Sequence, residues 1–570
     1  MAKIKPERAF SREVLSGFGG MGTQGSLTGK WAADMRNFRI RGDGSLEKRK
    51  GWRVKREFTE PIRAAWQGTV GGASLCFAVC STVIFRVTDS SATVVGRVAD
   101  ATGRLSFFQL DDTLYLTNRG GLLVWDPDAK TFSAAEAYVP LYGHNWHPSS
   151  YGDVYEPINL LTRRLRIHYL NTTGSTVFSL PFFAESVDQV RVNNVEVTDY
   201  TLDAAGDAVH IPSAANASVV ELAYTMEFSS ALADQLAACT NSFVDRRDGQ
   251  ETLFLYGAPQ GYRLFPSHPV SIHMWNACRV FYPQALPLYM REEDLVNVGN
   301  AVNPVRALCP HYDRVLAFCR EGVWSVAYDK EQACFDAVPV LNGFGCGGTD
   351  AVIPYEQDVL VCNRGGLYRL HATSGSPDAF DLTRLSAPVD EFLRSQVTGE
   401  MCLWYHESKN EIWLRPIGES TGCVWILQMD SDRWYCFDHI AADFFMTLDG
   451  VSGFAAGKRL CLLDGTLTTD NGEPFTAYYQ SGYLTFDRPE TVKRALRASL
   501  CANTGGNTLH LTLESEQNAR SFALEGEAGD APELFDLRIG MGRFRFLRFR
   551  VSVTGDQISR IHGISFYSQL

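Results

Sequence analysis

A hairpin motif that recurs along the chain is the feature that most limits its possible folds. The clearest copies are Thr113–Trp125 and Asp358–Leu370, which share the sequence Asn-Arg-Gly-Gly-Leu at Asn118–Leu122 and Asn363–Leu367. Each copy has an apolar strand, a glycine-containing turn and a second apolar strand. Glycine allows the positive φ angles of tight turns, so the pattern predicts a β-hairpin.

Two looser copies of the motif extend the repeat. They are Arg314–Val326 and the degenerate Arg459–Leu467. All-β repeats with a period of roughly 40–50 residues are typical of propeller blades. The gap between the copies at Asn118 and Cys319 is much longer than one period, so we expect it to hold further blades and an insertion.

Length and charge favour several domains with an uneven charge distribution. The chain has 570 residues, 45% of them hydrophobic, and a formal net charge of −12. Residues 1–57 are basic, so the remainder is strongly acidic. We expect the basic start to dock onto a partner and the acidic body to repel polyanions.

The cysteines favour a reducing compartment. The 14 cysteines have no framework spacing and most lie singly in apolar strands, which is typical of buried free thiols. Cys76 and Cys80 share a strand face, but no second pair or histidine cluster favours a zinc site. No apolar run reaches the length of a membrane span, and the N-terminus lacks the apolar core of a signal peptide. We therefore expect neither a membrane span nor secretion.

The predicted organisation is an all-β fold, a β-propeller with an inserted small β-sandwich and a C-terminal β-rich unit. Residues 1–30 are glycine-rich and basic and are interpreted as an extended arm or loop, with plain disorder as the alternative. An entry hairpin completes the segment 1–57. The propeller occupies 58–155 and 229–470, and an inserted sandwich with a two-residue turn at Asn193-Asn194 occupies 156–228. The C-terminal unit, 471–570, either closes the propeller or forms a small sandwich. A short helix is predicted at Leu385–Phe392, started by Ser386 and Pro388, and further hairpins at 402–438.

Two basic clusters are candidate docking residues. The entry hairpin turns at Gly42-Asp43-Gly44 and has a strongly basic tip. In Arg543–Val553 polar and apolar residues alternate, and the alternation shifts by one residue at Leu547, which predicts a β-bulge. The alternatives are a solvated edge that discourages strand pairing and a solvated face paired with acids such as Asp530 and Glu533. The candidate residues are Arg39, Arg41, Lys48, Arg49, Lys50, Arg543, Arg545, Arg548 and Arg550.

No motif points to catalysis, and no cofactor is expected. Phosphate-loop, nucleophile-elbow and zinc-protease patterns are missing. His144 and His147 lie in an aromatic-rich loop that reads as packed structure rather than a metal site. Two alternatives remain: a propeller lectin that uses the aromatic loops Tyr142–Tyr151 and Tyr256–Tyr262 to stack on glycans, and a propeller hydrolase, which would need converging carboxylates.

Several stretches together resemble the propeller proteins that close the tail channel of tailed phages, the tail nozzle or packaged-DNA stabilisation proteins. That family commonly has an entry hairpin in which Asn, Gly, Arg and Gly recur in this order. The inserted segment is also similar to sandwiches inserted in such proteins. The similar stretches are Asn37–Arg53, Tyr256–Val326, Gly343–Leu370, Asn410–Asp438 and the inserted Asp188–Asp203.

The resemblance implies a virion structural protein without enzymatic activity. It implies a homo-oligomeric ring, often six-fold, that attaches to portal and adaptor neck proteins, surrounds a channel for genomic DNA and holds tail fibres or spikes outside. Such a ring retains packaged DNA, gives it an exit path and assembles in the host cytoplasm. The Tyr256–Pro283 stretch departs from the family pattern, so nozzle, adaptor ring and baseplate component all remain open.

Overall fold

The protein is all-β, as predicted. The computed structural model describes residues 10–22, 31–145, 153–247, 250–258, 263–266, 288–300, 302–329, 331–332, 334–373, 376–396, 400–417, 422–486, 489–529 and 531–569. Seven antiparallel sheets of four strands, which we number 1–7, occur in this part of the chain, together with four sheets of other sizes. Among these described residues, no helix is long and apolar enough to cross a membrane. The chain divides into two compact units, residues 63–345 and residues 1–62 with 346–570.

The first unit, residues 63–345, contains sheets 1–4. Two of the repeated hairpins, Thr113–Trp125 and Arg314–Val326, form the middle strands of sheets 2 and 4 and are confirmed. The strands of sheet 1 are Ile62–Val70, Ala73–Cys80, Val83–Val87 and Ala92–Arg97; of sheet 2, Phe107–Leu110, Thr113–Asn118, Gly121–Asp126 and Thr131–Ala134; of sheet 3, Asn241–Arg247, Gln250–Tyr256, Arg263–Pro266 and Val296–Asn297; of sheet 4, Val305–His311, Arg314–Cys319, Gly322–Asp329 and Cys334–Asn342. A 3₁₀ turn at Glu292–Asp294 precedes the last strand of sheet 3.

Consecutive sheets of this unit share hydrophobic cores. Phe77 of sheet 1 packs on Trp125 of sheet 2, with ring centroids 4.8 Å apart. Leu122 of sheet 2 belongs to one core with Leu253 of sheet 3. Sheets 3 and 4 share a further core, in which the rings of Phe254 and Phe335 are 5.4 Å apart. Each sheet therefore buries its apolar side chains against the next sheet in chain order.

A two-sheet sandwich is inserted in the chain between sheets 2 and 3, and we call it the inserted sandwich. It has its own core, and its Asn193-Asn194 turn has φ angles of 51° and 65°, as the predicted two-residue hairpin requires. Its strands begin earlier than the predicted boundary at residue 156. The larger sheet has the order Val154–Tyr155, Leu141–His144, Arg164–Asn171, Ser218–Met226, Ala184–Val192, Val195–Glu196, and the smaller one Val177–Ser179, Ala208–His210, Thr201–Leu202. A helix at Ala231–Ala237, which the sequence analysis did not predict, leads into sheet 3.

The second unit contains sheets 5–7, and these too pack in chain order. Tyr355 of sheet 5 contacts Tyr405 of sheet 6 edge to face at 5.3 Å, and Trp404 of sheet 6 stacks on Phe445 of sheet 7 at 5.5 Å. The repeated hairpin Asp358–Leu370 and the hairpins of 402–438 are confirmed. The strands of sheet 5 are Val352–Tyr355, Asp358–Asn363, Gly366–Thr373 and Ser376–Arg384; of sheet 6, Met401–His406, Glu411–Pro416, Val424–Gln428 and Arg433–Phe437; of sheet 7, Phe444–Leu448, Val451–Ala456, Arg459–Leu462 and Arg53–Glu57.

The predicted short helix between sheets 5 and 6 is also present. It starts with a 3₁₀ turn at Ala387–Val389, continues as an α-helix at Asp390–Gln396, and Pro388 lies in its first turn. A second 3₁₀ turn, Glu407–Lys409, joins the first two strands of sheet 6.

The C-terminal sandwich of this unit is built with strands from both ends of the chain. Its two sheets meet through Phe549 and Phe566, whose ring centroids are 5.7 Å apart. The five-stranded sheet has the order Ala32–Arg36, Phe475–Ser481, Leu547–Gly555, Thr508–Ser515, Ala519–Glu525. The seven-stranded sheet has the order Phe38–Ile40, Leu46–Lys48, Arg560–Gln569, Lys493–Asn503, Glu533–Arg538, with Phe10–Leu15 added on Arg560–Gln569 and Arg543–Phe544 on Lys493–Asn503.

Three sequence predictions need correction. The fourth hairpin copy has only its first strand, Arg459–Leu462. This strand pairs with Val451–Ala456 on one side and with Arg53–Glu57 on the other, so the N-terminal segment supplies the outer strand of sheet 7. At Leu547 there is no bulge. Arg543–Phe544 pairs in the seven-stranded sheet and Leu547–Gly555 in the five-stranded sheet, so the parity slip marks a crossing between sheets. Part of the predicted arm, Phe10–Leu15, is a strand.

Candidate functional site

The entry hairpin is fixed by Asn37, which is fully buried and has a φ of 58°. Asparagine tolerates this left-handed conformation better than most residues. Its side-chain nitrogen donates to the Asp438 carboxylate and, at 2.8 Å, to the Thr476 carbonyl. Its side-chain oxygen accepts from Arg49 Nε at 2.8 Å and from the Asp438 amide at 3.1 Å. One amide thus connects the hairpin to the end of sheet 6 and to the C-terminal sandwich.

Arg49 is the second fixed point of the hairpin. Only 1% of the residue is exposed, and its two terminal nitrogens donate to the two Asp470 oxygens at 2.7 and 2.5 Å. One terminal nitrogen also donates to the Asp438 carbonyl at 3.0 Å, and the guanidinium lies 3.9 Å from the centre of the Phe475 ring. The two terminal nitrogens of a guanidinium form a fork that can bond both oxygens of one carboxylate, which a lysine cannot do.

Lys48 is buried as well. Its ammonium donates to the carbonyls of Thr468 at 3.3 Å and Gly555 at 2.5 Å and lies 4.1 Å from the Phe475 ring centre. Burial, together with the charge of Arg49, lowers the pKa of Lys48 to about 8. The expectation of an exposed basic tip is therefore wrong for Lys48 and Arg49, because both cations have intramolecular partners.

Arg39 is half-buried and pairs with Glu411 in the second strand of sheet 6. Glu411 also accepts hydrogen bonds from the Tyr435 hydroxyl and, at 3.0 Å, from Trp413 Nε1. Burial alone would raise the pKa of Glu411, but the Arg39 charge and these hydrogen bonds hold it below its ordinary value. Glu411 is therefore a carboxylate kept ionised inside an apolar sheet.

A cavity of about 220 Å³ brings several of these cations together. Arg39, Arg49 and Lys50 line it, and so do His406 and Lys409 of sheet 6. The charged groups around the Lys409 ammonium are Arg39, Glu411, Glu47 and Lys50. Sequence analysis missed Glu411, His406 and Lys409. A carboxylate inside the apolar strand Glu411–Pro416 was the available signal, because such a group needs a buried partner.

Other candidate residues are more accessible. Lys50 is half-buried at the cavity, and Arg41 is exposed and bonded to Glu47 at 2.6 Å. Arg543 and Arg545 are exposed where the chain crosses between sheets. Arg548 bonds to Glu514 at 2.5 Å, while Arg550 is exposed and lies 3.8 Å from the Tyr478 ring centre. Arg543 thus lies on the seven-stranded sheet, Arg548 and Arg550 lie on the five-stranded sheet, and Arg545 lies between the two strands. The four arginines therefore do not form the single face that was predicted, and Asp530 falls outside the described residues.

A larger cavity of about 680 Å³ lies at sheet 7. Its lining includes Trp52, Glu57, His439 and Asp443. Both carboxylates already have partners, since Glu57 accepts from Arg459 at 3.0 Å and Asp443 from the Gly457 amide at 2.7 Å. Glu57 and Asp443 are therefore not free to act as the acid and base of a hydrolase. In the described part of the chain, no three potential ligands are grouped for a metal ion; His147 lies outside that part.

Comparisons with known proteins give no family. No protein-family model and no curated protein matches the chain. Among solved structures, the extracellular domain of a putative one-component system from B. thetaiotaomicron is similar at 8% identity and a TM-score of 0.37, over 90% of this chain and 62% of that one. A glycoside hydrolase is similar at 10% identity and a TM-score of 0.22, over 90% and 99%. The chain thus spans less than two thirds of the first of these proteins, and such low scores support no inference about function.

Arg49 gives the first testable prediction. Arg49→Ala should lower the free energy of unfolding by about 3–5 kcal/mol, because Asp470 would remain as a buried carboxylate without its partner. The control is Arg41→Ala in the same hairpin, where the removed cation is exposed and Glu47 keeps its bond to Arg560, so the expected change is below about 1 kcal/mol. Urea unfolding of both variants measures the difference, and equal effects would contradict the assigned role of Arg49.

His406 gives a pH prediction. It is 8% exposed, its ring nitrogens lie 3.3 Å from the Ser408 and Ser452 hydroxyls, and burial, followed by the Lys409 charge, lowers its pKa from 6.5 to about 4. As pH falls from 6.5 to about 4, the unfolded chain takes up a proton that the folded protein does not. The free energy of unfolding should therefore fall by up to about 3 kcal/mol through this group.

The measurement is urea unfolding of the protein and of His406→Gln at several pH values across this window. The difference in stability between the two proteins should shrink as the pH falls, because the variant lacks the titrating group. A difference that stays constant with pH would contradict the buried neutral histidine.

Proposed function

We propose that this protein is a structural component of the neck or tail of a tailed phage. Several copies form a ring around the DNA channel, retain the packaged genome and provide its exit path. The observation that carries the proposal is the entry hairpin. The residues on which the family resemblance rests are those that the backbone conformation and the buried contacts of this hairpin require.

The hairpin contains Asn, Gly, Arg and Gly in the order of the family motif, as Asn37, Gly44, Arg49 and Gly51. Asn37 and Arg49 make the buried contacts described above. Gly44 has a φ of 81°, and a Cβ on Gly51 would lie 1.8 Å from the Thr469 carbonyl oxygen. Because each of these four positions requires its residue type for a structural reason, the motif supports a shared fold more strongly than a shared composition would.

We infer that the four-stranded sheets are blades of a β-propeller that carries the two sandwiches as additions. Sheets 1–4 and sheets 5–7 pack in chain order within their units, as blades do. Sheet 7 combines three strands from late in the chain with one from its start. Mixed blades of this kind fasten the two ends of a propeller chain together.

The charge distribution fits a ring that DNA passes through. The segment 1–57 is basic and the rest of the chain is acidic. An acidic wall offers few phosphate contacts, so DNA slides along it. With Lys48 and Arg49 buried, the reachable cations of the hairpin are Arg41 and Lys50, and these are the residues that dock onto an acidic neighbouring ring.

The proposal is tested by the native mass of the full chain, alone and mixed with purified portal and adaptor proteins of a tailed phage. We expect a ring of several copies, six by the resemblance, in at least one of these samples. Arg41→Glu with Lys50→Glu should weaken attachment to the neck proteins, whereas Lys130→Glu, an exposed charge elsewhere in the chain, should not. A chain that stays monomeric in both samples contradicts the proposal.

A further inference from the structure

A cleft of about 460 Å³ lies in the inserted sandwich. Its walls come from the strand Leu141–His144, the loop after Asn171 and the strand Val177–Ser179. The volume is within the range of about 300–1,000 Å³ that is usual for small-molecule sites. Nothing in the ring proposal uses this cleft.

One side of the cleft presents aromatic rings. Tyr142 lines the cleft and is half-buried; its ring is stacked on that of Tyr155, with centroids 5.9 Å apart and an interplanar angle of 17°. Tyr155 is 67% exposed. Tyr169 lies deeper, is 7% exposed and meets the His144 ring edge to face. Tyrosine offers an apolar face and a hydroxyl together, which suits a ligand with both C–H and O–H groups.

A polar network lies next to these rings. The Asp153 carboxylate accepts from His144 Nδ1 at 2.8 Å and from the Asn145 amide at 3.2 Å, and it is hydrogen-bonded to Tyr142. The Asp153 side chain is still 40% exposed. The carboxylate is thus held in one orientation while a ligand can still reach it.

The opposite rim carries hydroxyl groups. Thr172 and Thr173 are exposed, and their side chains make no hydrogen bond to any residue that the structure describes. By contrast, Asn171 and Ser175 are occupied, because the Asn171 amide bonds to the Ser175 and Ala215 carbonyls and the Ser175 hydroxyl to Val177. The two threonine hydroxyls are therefore available to a ligand.

The charge of the cleft restricts its ligand. Its described lining includes one carboxylate and no lysine or arginine, so a phosphate or nucleic acid would meet no counter-charge. An aromatic cage for a quaternary ammonium would need several open ring faces, but Tyr169 is nearly covered. A neutral polyhydroxyl ligand can place its C–H face on Tyr142 and its hydroxyls on Asp153, Thr172 and Thr173. We propose that this cleft binds a neutral saccharide.

The test uses the full chain and a panel of methyl glycosides of glucose, galactose, mannose and N-acetylglucosamine with their common disaccharides. Binding is measured by saturation-transfer NMR and titration calorimetry, with choline and inorganic phosphate as competing ligand classes. At least one neutral saccharide should bind, and Asp153→Asn should weaken it about tenfold, equivalent to about 1.4 kcal/mol. Thr172→Val with Thr173→Val should weaken it as well.

The control is Asp188→Asn. Asp188 is also a hydrogen-bonded carboxylate of the inserted sandwich, but it bonds to Arg164 and lies outside the cleft lining. This variant should bind like the unaltered protein, and thermal unfolding should show that all variants are folded. Binding of choline or phosphate instead of saccharides, no saccharide binding, or equal weakening by Asp188→Asn would overturn the proposal. Because the cleft is tested on the chain itself, these results are independent of whether the chain forms a ring.

Discussion

The paired hydrogen bonds between Arg49 and Asp470 are the interaction on which the arrangement of the second unit depends. Asp470 lies between the strand Arg459–Leu462 of sheet 7 and the strand Phe475–Ser481 of the C-terminal sandwich. Arg49 lies between strands that belong to the same two structures. Burying two charges costs free energy that the attraction between them only partly offsets. The benefit of such a pair is positional, since both terminal nitrogens of the Arg49 guanidinium are bonded to the one Asp470 carboxylate.

This fastening explains why the N-terminal segment can serve three sheets. Within residues 10–57 the chain supplies strands to the seven-stranded sheet, the five-stranded sheet and sheet 7. Asn37 sets the turn between the first two of these, and Gly51 lets the chain pass Thr469 before it enters sheet 7. The cations that remain reachable, Arg41 and Lys50, are held on a fixed scaffold, as the proposed docking surface would require.

Local patterns predicted local structure well. Glycine and asparagine, which tolerate positive φ, account for the hairpins at Thr113–Trp125 and Asp358–Leu370 and for the Asn193-Asn194 turn. Proline, which fixes φ near the helical value, accounts for the start of the helix at Pro388. Long-range structure was harder to predict. Lys48 and Arg49 look like a solvated run of charge because their partners, Thr468 and Asp470, lie about 420 residues further along the chain.

The same limit explains the other errors. At Leu547 a change in alternation is compatible with a bulge or with a crossing between two sheets, and only the pairing partners distinguish them. The copy at Arg459–Leu467 was predicted to supply both strands of a hairpin. The second strand instead comes from Arg53–Glu57, which is far away in the sequence. The cleft of the inserted sandwich unites short segments with no motif of their own, although the aromatic content near Tyr142 was visible in the sequence.

Hydrogen exchange of an Arg49→Lys variant tests the central claim most directly. Lysine keeps the charge but loses the fork. If the hairpin fastens both structures, protection should fall together at Arg53–Glu57 of sheet 7 and at Phe475–Ser481 of the C-terminal sandwich, while residues 63–345 keep their protection. Loss of protection confined to the hairpin itself would show that sheet 7 and the C-terminal sandwich do not depend on this ion pair, and would contradict the account.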